Sequence, residues 1–258
     1  MGTIEGLLLD VDGVLTEVWR PLPGAGAALA ALRERGLPFL LATNTTTHTR
    51  GDLATLLAEA GLEVAPRELV TATVAAGEHL RARHPGARVF LLGGRAAAED
   101  LGRVELVEDG AGVVLVAGAD PTFTWENMTR AFRMLRAGAA LVAMHRNPSW
   151  TPAAGLMMDS GPFIAALERV TGVEATVTGK PPPEFFRLCV ERLSVPRERV
   201  AMVGDNLVFD VLAAQACGLR GVLVRTGVFD QRTLAGASVR PDHVIDSIAD
   251  LAELLDAG

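Results

Sequence analysis

The segment Leu7-Leu8-Leu9-Asp10-Val11-Asp12-Gly13-Val14-Leu15 determines the fold assignment of this chain. Its apolar run begins at Ile4 and stops abruptly at Asp10, which predicts a buried parallel strand. Two carboxylates two residues apart at the end of a strand project to the same side, and in open α/β sheets that end opens into the binding crevice. Gly13 permits the sharp turn that exposes them. The alternative for this Asp-x-Asp pattern is a pair of acidic residues that caps the following turn.

Strands and helices alternate on both sides of this segment. Short apolar runs predict strands at 4–9, 38–42, 89–92, 113–117, 140–144, 200–203 and 221–224. Apolar residues at helical spacing predict helices at 25–32, 53–60, 75–82, 125–135, 185–193, 208–216 and 247–255. This order predicts the α/β class with a doubly wound parallel sheet. Because a single sheet would need many strands, we expect two α/β layers, with residues 74–173 inserted into a core formed by 1–73 and 174–258.

The composition of the 258-residue chain excludes several classes of protein. Hydrophobic residues make up 49% and charged residues 21%, which excludes intrinsic disorder. The net charge of −7 argues against a nucleic-acid binder, and no apolar run reaches the roughly 18 residues of a membrane span. The presence of only two cysteines, Cys189 and Cys217, and an N-terminus without a signal-peptide pattern predict a soluble cytoplasmic protein.

A second polar cluster, Thr43-Asn44-Thr45-Thr46-Thr47, follows the predicted strand at 38–42. Its hydroxyl, amide and backbone N–H groups can bond the oxygens of a phosphoryl group. A helix N-cap with additional threonines is the alternative interpretation. Thr43 and Asn44 are therefore candidate substrate-binding residues.

The third candidate is Lys180 in the segment Gly179-Lys180-Pro181-Pro182-Pro183-Glu184, the single lysine beside 23 arginines. A P-loop is excluded because Glu174 and Pro181 stand where that motif requires glycine and Ser or Thr. A compact positive charge on a proline-stiffened loop before a helix can bind phosphate. A solvated surface lysine is the alternative.

The fourth candidate is the segment Val203-Gly204-Asp205-Asn206-Leu207-Val208-Phe209-Asp210. Asp205 directly follows a predicted strand, and Asp210 lies in the first turns of the next helix. We predict that Asp205 is a metal ligand and that Asp210 orients other groups of the site. Carboxylates that are merely favoured by the helix N-terminal dipole are the alternative.

Together the four clusters supply a nucleophile, an acid/base, phosphate donors, a cation and a metal site, which are the parts that phosphoryl transfer requires. In the same order they resemble the four motifs of the haloacid dehalogenase (HAD) superfamily of phosphatases. The resemblance covers essentially the whole chain, and the insertion of about one hundred residues resembles the α/β cap of subclass IIA, the NagD-like group. Within that subclass, four segments are similar to phospholysine phosphohistidine inorganic pyrophosphate phosphatases: 125–128, 155–159, 179–186 and 214–218.

The resemblance implies a HAD-like Rossmannoid core and a catalytic role for both aspartates of the first motif. Asp10 would be the nucleophile that forms an aspartyl-phosphate, and Asp12 would protonate the leaving alcohol and later activate water. Mg²⁺ would be held by Asp10, the main-chain carbonyl of Asp12, and Asp205.

The resemblance also assigns the remaining site residues and the partners. Thr43, Asn44 and Lys180 would hold the phosphoryl oxygens, and Asp210 would orient Lys180 or a metal-bound water. The implied substrate is a small phosphorylated metabolite, with pyrophosphate and P–N bonds as further options. The inserted cap would set specificity and would be the surface for a homodimer; no nucleic acid or membrane partner is expected.

Two departures from the family patterns leave the substrate open. Asp12 stands where serine is frequent in the phospholysine phosphohistidine group, and residues 144–148 differ from the Thr-Asn-x-Asp of NagD-type caps. A dehalogenase is disfavoured because Asp12 and Asp205 would have no role in it. A non-catalytic phosphate-binding regulator is the alternative function, and the intact Asp10 and Asp12 argue against it.

Overall fold

The computed structural model describes residues 3–150 and 155–257. The chain forms two compact units, one of Met1–Thr43, Gly51–Val70 and Lys180–Gly258 and the other of Asn44–Arg50 and Thr71–Gly179. The division therefore lies a few residues away from the predicted positions near 73 and 174. The reason is local: the helix of the second unit already begins at Ala72, and the strand Thr176–Val177 pairs with a strand of the second sheet.

The described residues form strands and α-helices that alternate along most of the chain. The strands are β1 (Gly6–Leu9), β2 (Thr16–Glu17), β3 (Arg20–Pro21), β4 (Phe39–Thr43), β5 (Leu69–Thr71), β6 (Arg88–Leu92), β7 (Glu105–Leu106), β8 (Val113–Val116), β9 (Ala140–Ala143), β10 (Ser149–Trp150), β11 (Met157–Met158), β12 (Thr176–Val177), β13 (Val200–Gly204), β14 (Arg220–Val224) and β15 (His243–Ile245). The helices are α1 (Ala25–Glu34), α2 (Arg50–Glu59), α3 (Ala72–Arg83), α4 (Trp125–Arg136), α5 (Ser160–Thr171), α6 (Pro183–Leu193), α7 (Ala213–Ala216), α8 (Gln231–Gly236) and α9 (Leu251–Asp256).

The sheet of the first unit has the strand order β15-β14-β13-β1-β4-β5. β1 lies in parallel register between β13 and β4, and every residue of these three strands is buried. Continuous apolar runs are typical of parallel strands that are covered on both faces. From β1 the chain proceeds to β4 and β5 on one side and later to β13, β14 and β15 on the other. The strand order thus reverses beside β1, where ligands bind in open α/β sheets.

The helix predicted at 208–216 differs in detail from the observed structure. Leu207–Leu212 form a π-helical turn, and α7 continues from Ala213. The Asn206 side chain caps this segment by accepting hydrogen bonds from the N–H groups of Val208 and Phe209. Such turns occur often at functional sites, and this one carries Asp210.

The second unit contains a five-stranded parallel sheet in the order β12-β9-β8-β6-β7 and an antiparallel hairpin, β10–β11. Its core packs apolar residues of the sheet against α4 and α5, among them Phe90, Val114, Leu141, Ile164 and Leu167. These two parallel sheets confirm the predicted α/β class. Among the described residues, we find no helix with the length and apolarity that a bilayer crossing requires.

Candidate active site

The adjacent ends of β1 and β13 position the two aspartates that follow them. The Asp10 N–H donates to the Val203 carbonyl oxygen at 2.9 Å, so the parallel ladder extends to the first aspartate. The Asp10 carboxylate then accepts a hydrogen bond at Oδ1 from the Val11 N–H at 2.8 Å. Asp205 follows Gly204, the last residue of β13. The two carboxylates therefore share one edge of the sheet because their strands are neighbours.

Lys180 bridges two carboxylates of this edge. Its Nζ lies 2.8 Å from Asp10 Oδ1 and 2.7 Å from Asp210 Oδ1, and the side chain is 4% exposed. Lys180 is therefore not a solvated surface residue. A hydrogen-bonded ammonium between two carboxylates is held in one orientation, which a surface lysine is not.

Asp10, Asp205 and Asp210 each offer a carboxylate oxygen, and these oxygens lie within 4.8 Å of one another. We refer to the three aspartates together with Lys180 as the carboxylate–lysine cluster. Three carboxylates beside one ammonium leave an excess of negative charge in a buried place. Hard oxygen ligands with excess negative charge are the donor set that Mg²⁺ prefers, so the residues present fit this ion.

The electrostatics of the carboxylate–lysine cluster reflect burial first and charge second. Burial raises the pKa of Asp10 well above its usual range, Lys180 opposes this, and Asp210 and Asp205 add to it. Burial raises the pKa of Asp205 to about 6, with a further contribution from Asp210. Burial would lower the pKa of Lys180, but the ion pairs with Asp10 and Asp210 outweigh it and raise that pKa. The lysine therefore stays charged, while the aspartates need a further cation to stay ionised together.

Asp210 uses both carboxylate oxygens within the protein. Oδ1 contacts Lys180, and Oδ2 accepts a hydrogen bond from the Asn206 N–H at 3.2 Å. Gly204 allows this close packing, because a Cβ at residue 204 would lie 2.7 Å from Asp210 Cγ. Asp210 is thus in contact with Lys180, and its role in orienting that lysine stays a prediction.

Asp12 occupies the turn after β1 and differs from Asp10 in exposure. Solvent reaches its side chain, whereas Asp10 is buried. Protein atoms nevertheless surround the Asp12 carboxyl closely enough that desolvation raises its pKa, with Lys180 opposing. A carboxyl that solvent can reach and whose pKa is raised can exchange a proton with a substrate or a water molecule, as a general acid and base must.

Comparison with known proteins places this geometry in a family. Residues 7–106 match the haloacid dehalogenase-like hydrolase family, and residues 177–251 match the HAD-hydrolase-like family. The phospholysine phosphohistidine inorganic pyrophosphate phosphatase of Rattus norvegicus is 32% identical over 258 residues, which covers 98% of this chain and 94% of that protein. The chain belongs to the haloacid dehalogenase-like hydrolases.

Solved structures define the subclass of this HAD hydrolase. NagD from Escherichia coli K-12 superposes with a TM-score of 0.88 and 29% identity, covering 96% of this chain and 98% of that one. A glycerol phosphate phosphatase from Mycobacterium tuberculosis, solved in complex with magnesium, gives a TM-score of 0.89 and 29% identity over 99% of this chain and 80% of that one. These similarities confirm the prediction of a NagD-like, subclass IIA HAD phosphatase.

The two predicted phosphate-binding residues of the second motif fall on different sides of the division between the units. Thr43 is the last residue of β4, buried, and lies on the strand next to β1 in the HAD core. Asn44 is the first residue of the segment that belongs to the second unit. The roles of both residues in substrate binding stay predictions.

One part of the site was not predicted from the sequence. The residues after β14 contact the first motif and the metal-ligand candidate: Thr226 Oγ1 donates to the Gly13 carbonyl oxygen, and the Val228 N–H donates to Asp205 Oδ2 at 2.8 Å. The signal was indirect, because these residues carry no charge. They follow a predicted buried strand, and Asp205 directly follows the neighbouring strand.

The second unit contains a buried polar group that the sequence did not indicate. His145 follows the apolar run at 140–144, where a single histidine is expected on the surface, but the residue is 3% exposed. Its Nδ1 accepts a hydrogen bond from the Asn147 N–H at 3.3 Å and lies 3.4 Å from Ser160 Oγ and 3.9 Å from Asp159 Oδ2. We refer to His145, Asp159 and Ser160 as the imidazole cluster.

Proposed function

We propose that this HAD hydrolase is a magnesium-dependent phosphatase that hydrolyses a small phosphorylated metabolite through an aspartyl-phosphate on Asp10. The observation that carries the proposal is the position of Lys180, whose Nζ contacts Asp10 and Asp210 at 2.8 and 2.7 Å in the same buried cluster as Asp205. An ammonium fixed beside the nucleophile can hold a phosphoryl oxygen and neutralise charge that develops in the transition state.

The reaction would proceed in two displacements. A carboxylate oxygen of Asp10 forms a bond to phosphorus while the bond from phosphorus to the leaving oxygen breaks, and Asp12 gives its proton to that oxygen. Asp12, now ionised, takes a proton from water as the water oxygen attacks phosphorus and the bond from phosphorus to the Asp10 oxygen breaks. Inorganic phosphate leaves, and both aspartates return to their starting states.

Magnesium would be held by the carboxylates of Asp10 and Asp205 and by the main-chain carbonyl of Asp12. When bound, it would neutralise phosphoryl oxygens and the excess negative charge of the carboxylate–lysine cluster. Lys180, Thr43 and Asn44 would bind the remaining phosphoryl oxygens. Asp210 would keep Lys180 in place, since both of its oxygens are already engaged.

Asp12 favours phosphate monoesters of alcohols as substrates. An alkoxide leaving group needs a proton, and desolvation raises the pKa of Asp12 and so favours the protonated form that can supply it. An Asp12→Ala variant should lose more activity on glycerol phosphate than on 4-nitrophenyl phosphate, whose phenolate leaves without a proton. Equal losses on both compounds would contradict a role of Asp12 in protonating the leaving group.

The decisive experiment is phosphate release from a panel of sugar, glycerol, nucleoside and aryl phosphates, pyrophosphate, phosphohistidine and phospholysine. Each compound is assayed with magnesium and with EDTA. We expect turnover of at least one compound with magnesium and none with EDTA. Tight binding of a panel member without turnover would contradict the proposal and favour a phosphate-binding regulator.

We further propose that the second unit is the specificity-determining cap and that it dimerises through the β10–β11 hairpin. The hairpin exposes Trp150, Met157 and Met158, and adjacent Leu156 is 75% exposed; apolar groups of this kind mark interaction sites. A Met157→Glu/Met158→Glu double variant should sediment as a monomer where the wild type sediments as a dimer.

The free thiols of Cys189 and Cys217 support a cytoplasmic location.

A further inference from the structure

The loop Thr226-Gly227-Val228 after β14 encloses the Asp205 carboxylate. We propose that this loop is a positioning element, which fixes the orientation of Asp205 and the turn at Gly13 so that the magnesium ligands are arranged before the ion binds. The proposal rests on the magnesium dependence proposed above and adds residues that do not themselves contact the ion.

Two hydrogen bonds attach the loop to the site. The Val228 N–H donates to Asp205 Oδ2 at 2.8 Å, so one carboxylate oxygen is held by the main chain. Thr226 Oγ1 donates to the Gly13 carbonyl oxygen, which ties the turn of the first motif to the same loop. Val228 therefore acts on a proposed magnesium ligand, Asp205. Thr226 acts on the turn that carries Asp12.

Packing allows no alternative position for this carboxylate on the loop side. A Cβ on Gly227 would lie 2.9 Å from Asp205 Cγ and 2.6 Å from Gly13 Cα. A Cβ on Gly13 would lie 2.6 Å from Asp205 Cγ and 3.0 Å from Gly227 Cα. Both glycines also have positive φ angles, 81° at Gly13 and 60° at Gly227. The Asp205 side chain is thus confined between two glycine backbones that have no room for a side chain.

When a metal-ligating side chain is confined before the ion binds, the entropic cost of binding the ion is lower. A carboxylate with one oxygen bound to a main-chain N–H presents its other oxygen in a fixed direction. Groups that orient metal ligands in this way typically contribute about 10–100-fold to metal affinity. We therefore expect the loop to affect the dissociation constant for Mg²⁺ without affecting the overall fold.

The test is the Kd for Mg²⁺ of the substrate-free protein, measured by isothermal titration calorimetry. Thr226→Val should weaken binding about 10-fold, Thr226→Ser should restore the wild-type value, and Gly227→Ala should weaken binding by about 10–100-fold. Each variant has a matched control. Gly36→Ala replaces a glycine of similar φ, 64°, with no atom within 4 Å, and Thr55→Val removes a hydroxyl that donates to the Gly51 carbonyl at 3.0 Å.

The outcomes separate the two proposals. A wild-type protein that binds no Mg²⁺ would overturn the proposed function and, with it, the role of the loop. A wild type that binds Mg²⁺, together with an unchanged Kd in Thr226→Val, would overturn the role of the loop alone. If Gly227→Ala does not fold, the comparison between Thr226→Val and Thr226→Ser still decides the question, because thermal stability without Mg²⁺ shows whether Thr226→Val is merely unstable.

Discussion

The carboxylate–lysine cluster of the first unit and the imidazole cluster of the second are both buried, but their charges are balanced differently. In the imidazole cluster, Asp159 Oδ1 accepts hydrogen bonds from the N–H groups of Ser160 and Ala119 at 2.7 and 2.9 Å, and burial keeps the pKa of His145 low. One carboxylate is thus satisfied by main-chain donors beside a neutral ring. In the carboxylate–lysine cluster, three carboxylates face a single ammonium.

Under the proposed function, this difference in charge balance corresponds to a difference in role: the imidazole cluster supports the fold, and the carboxylate–lysine cluster binds ligands. Buried groups that are fully satisfied by the protein stabilise one conformation. A buried excess of charge destabilises the protein and persists where a ligand compensates for it, which is the usual situation at active sites. The following predictions test this contrast, beginning with the largest effect.

Asp10→Asn should reduce phosphate release by about 10⁴-fold or more, because an amide cannot attack phosphorus. The asparagine side chain has the same shape as the aspartate, and the substitution removes one negative charge from the carboxylate–lysine cluster. The variant should therefore still fold. Asp242→Asn is the matched control: Asp242 Oδ2 accepts a hydrogen bond from the Gly221 N–H at 2.7 Å, near the opposite end of β14. Measurable turnover by purified, folded Asp10→Asn protein would contradict the covalent mechanism.

Lys180→Arg should lower kcat/KM by roughly 10²-fold while preserving charge. The guanidinium is longer and wider than the ammonium that contacts two carboxylates here, so it would shift the phosphoryl group away from Asp10. Steady-state kinetics on the best substrate of the panel measure the effect. The control is the reverse exchange, Arg130→Lys, at the exposed ion pair with Glu126. Near-wild-type kinetics in Lys180→Arg would leave only compositional bias as the reason for a lysine at this position.

Asp205→Asn should stabilise the metal-free protein at neutral pH and abolish its response to Mg²⁺. A carboxyl whose pKa is raised from 3.8 to about 6 in the folded state contributes stability below its unfolded pKa and loses it as pH rises through 6. Between pH 4 and pH 7 the free energy of unfolding of the wild type should therefore fall by on the order of 1–3 kcal/mol. The free energy of unfolding of the variant should not show this decrease. Urea denaturation in EDTA at several pH values measures this loss. Parallel pH profiles for the two proteins would contradict it.

The sequence predicted the charged part of the site because strand ends are visible as sudden polar residues. Asp10 and Asp205 each follow an apolar run, and Lys180 was distinguished by composition. The sequence could not predict the loop at 226–228, whose contribution is a main-chain N–H, a hydroxyl and a missing side chain. The pairing of β12 with β9 was also not visible, since two residues of mixed polarity carry no periodic signal.

The imidazole cluster escaped prediction for a similar reason. His145 follows the apolar run at 140–144, but its partners lie about fifteen residues further along the chain, across a segment with no regular pattern. A lone histidine after a strand is indistinguishable from a surface residue until the fold places Asp159 beside it. Charge, composition and position at strand ends identified the candidate site residues, whereas buried residues that hydrogen-bond to one another required the structure.

The smallest effect should be the pH dependence of the second unit, opposite in sign to that of Asp205. Burial lowers the pKa of His145 below its ordinary 6.5, with Asp159 opposing, so the neutral ring contributes stability above that value and the contribution is lost as pH falls through the folded pKa. The slope for one proton is at most about 1.4 kcal/mol per pH unit. His145→Asn retains an acceptor for the Asn147 N–H but cannot titrate, so its local stability should vary less between pH 7.5 and pH 5.5. Amide hydrogen exchange in β8 and β9 reports on this unit alone, with His84→Asn as the control. If the amide protection factors of wild type and His145→Asn fall equally on acidification, His145 does not cause the pH dependence, and the proposed contrast between the two clusters fails.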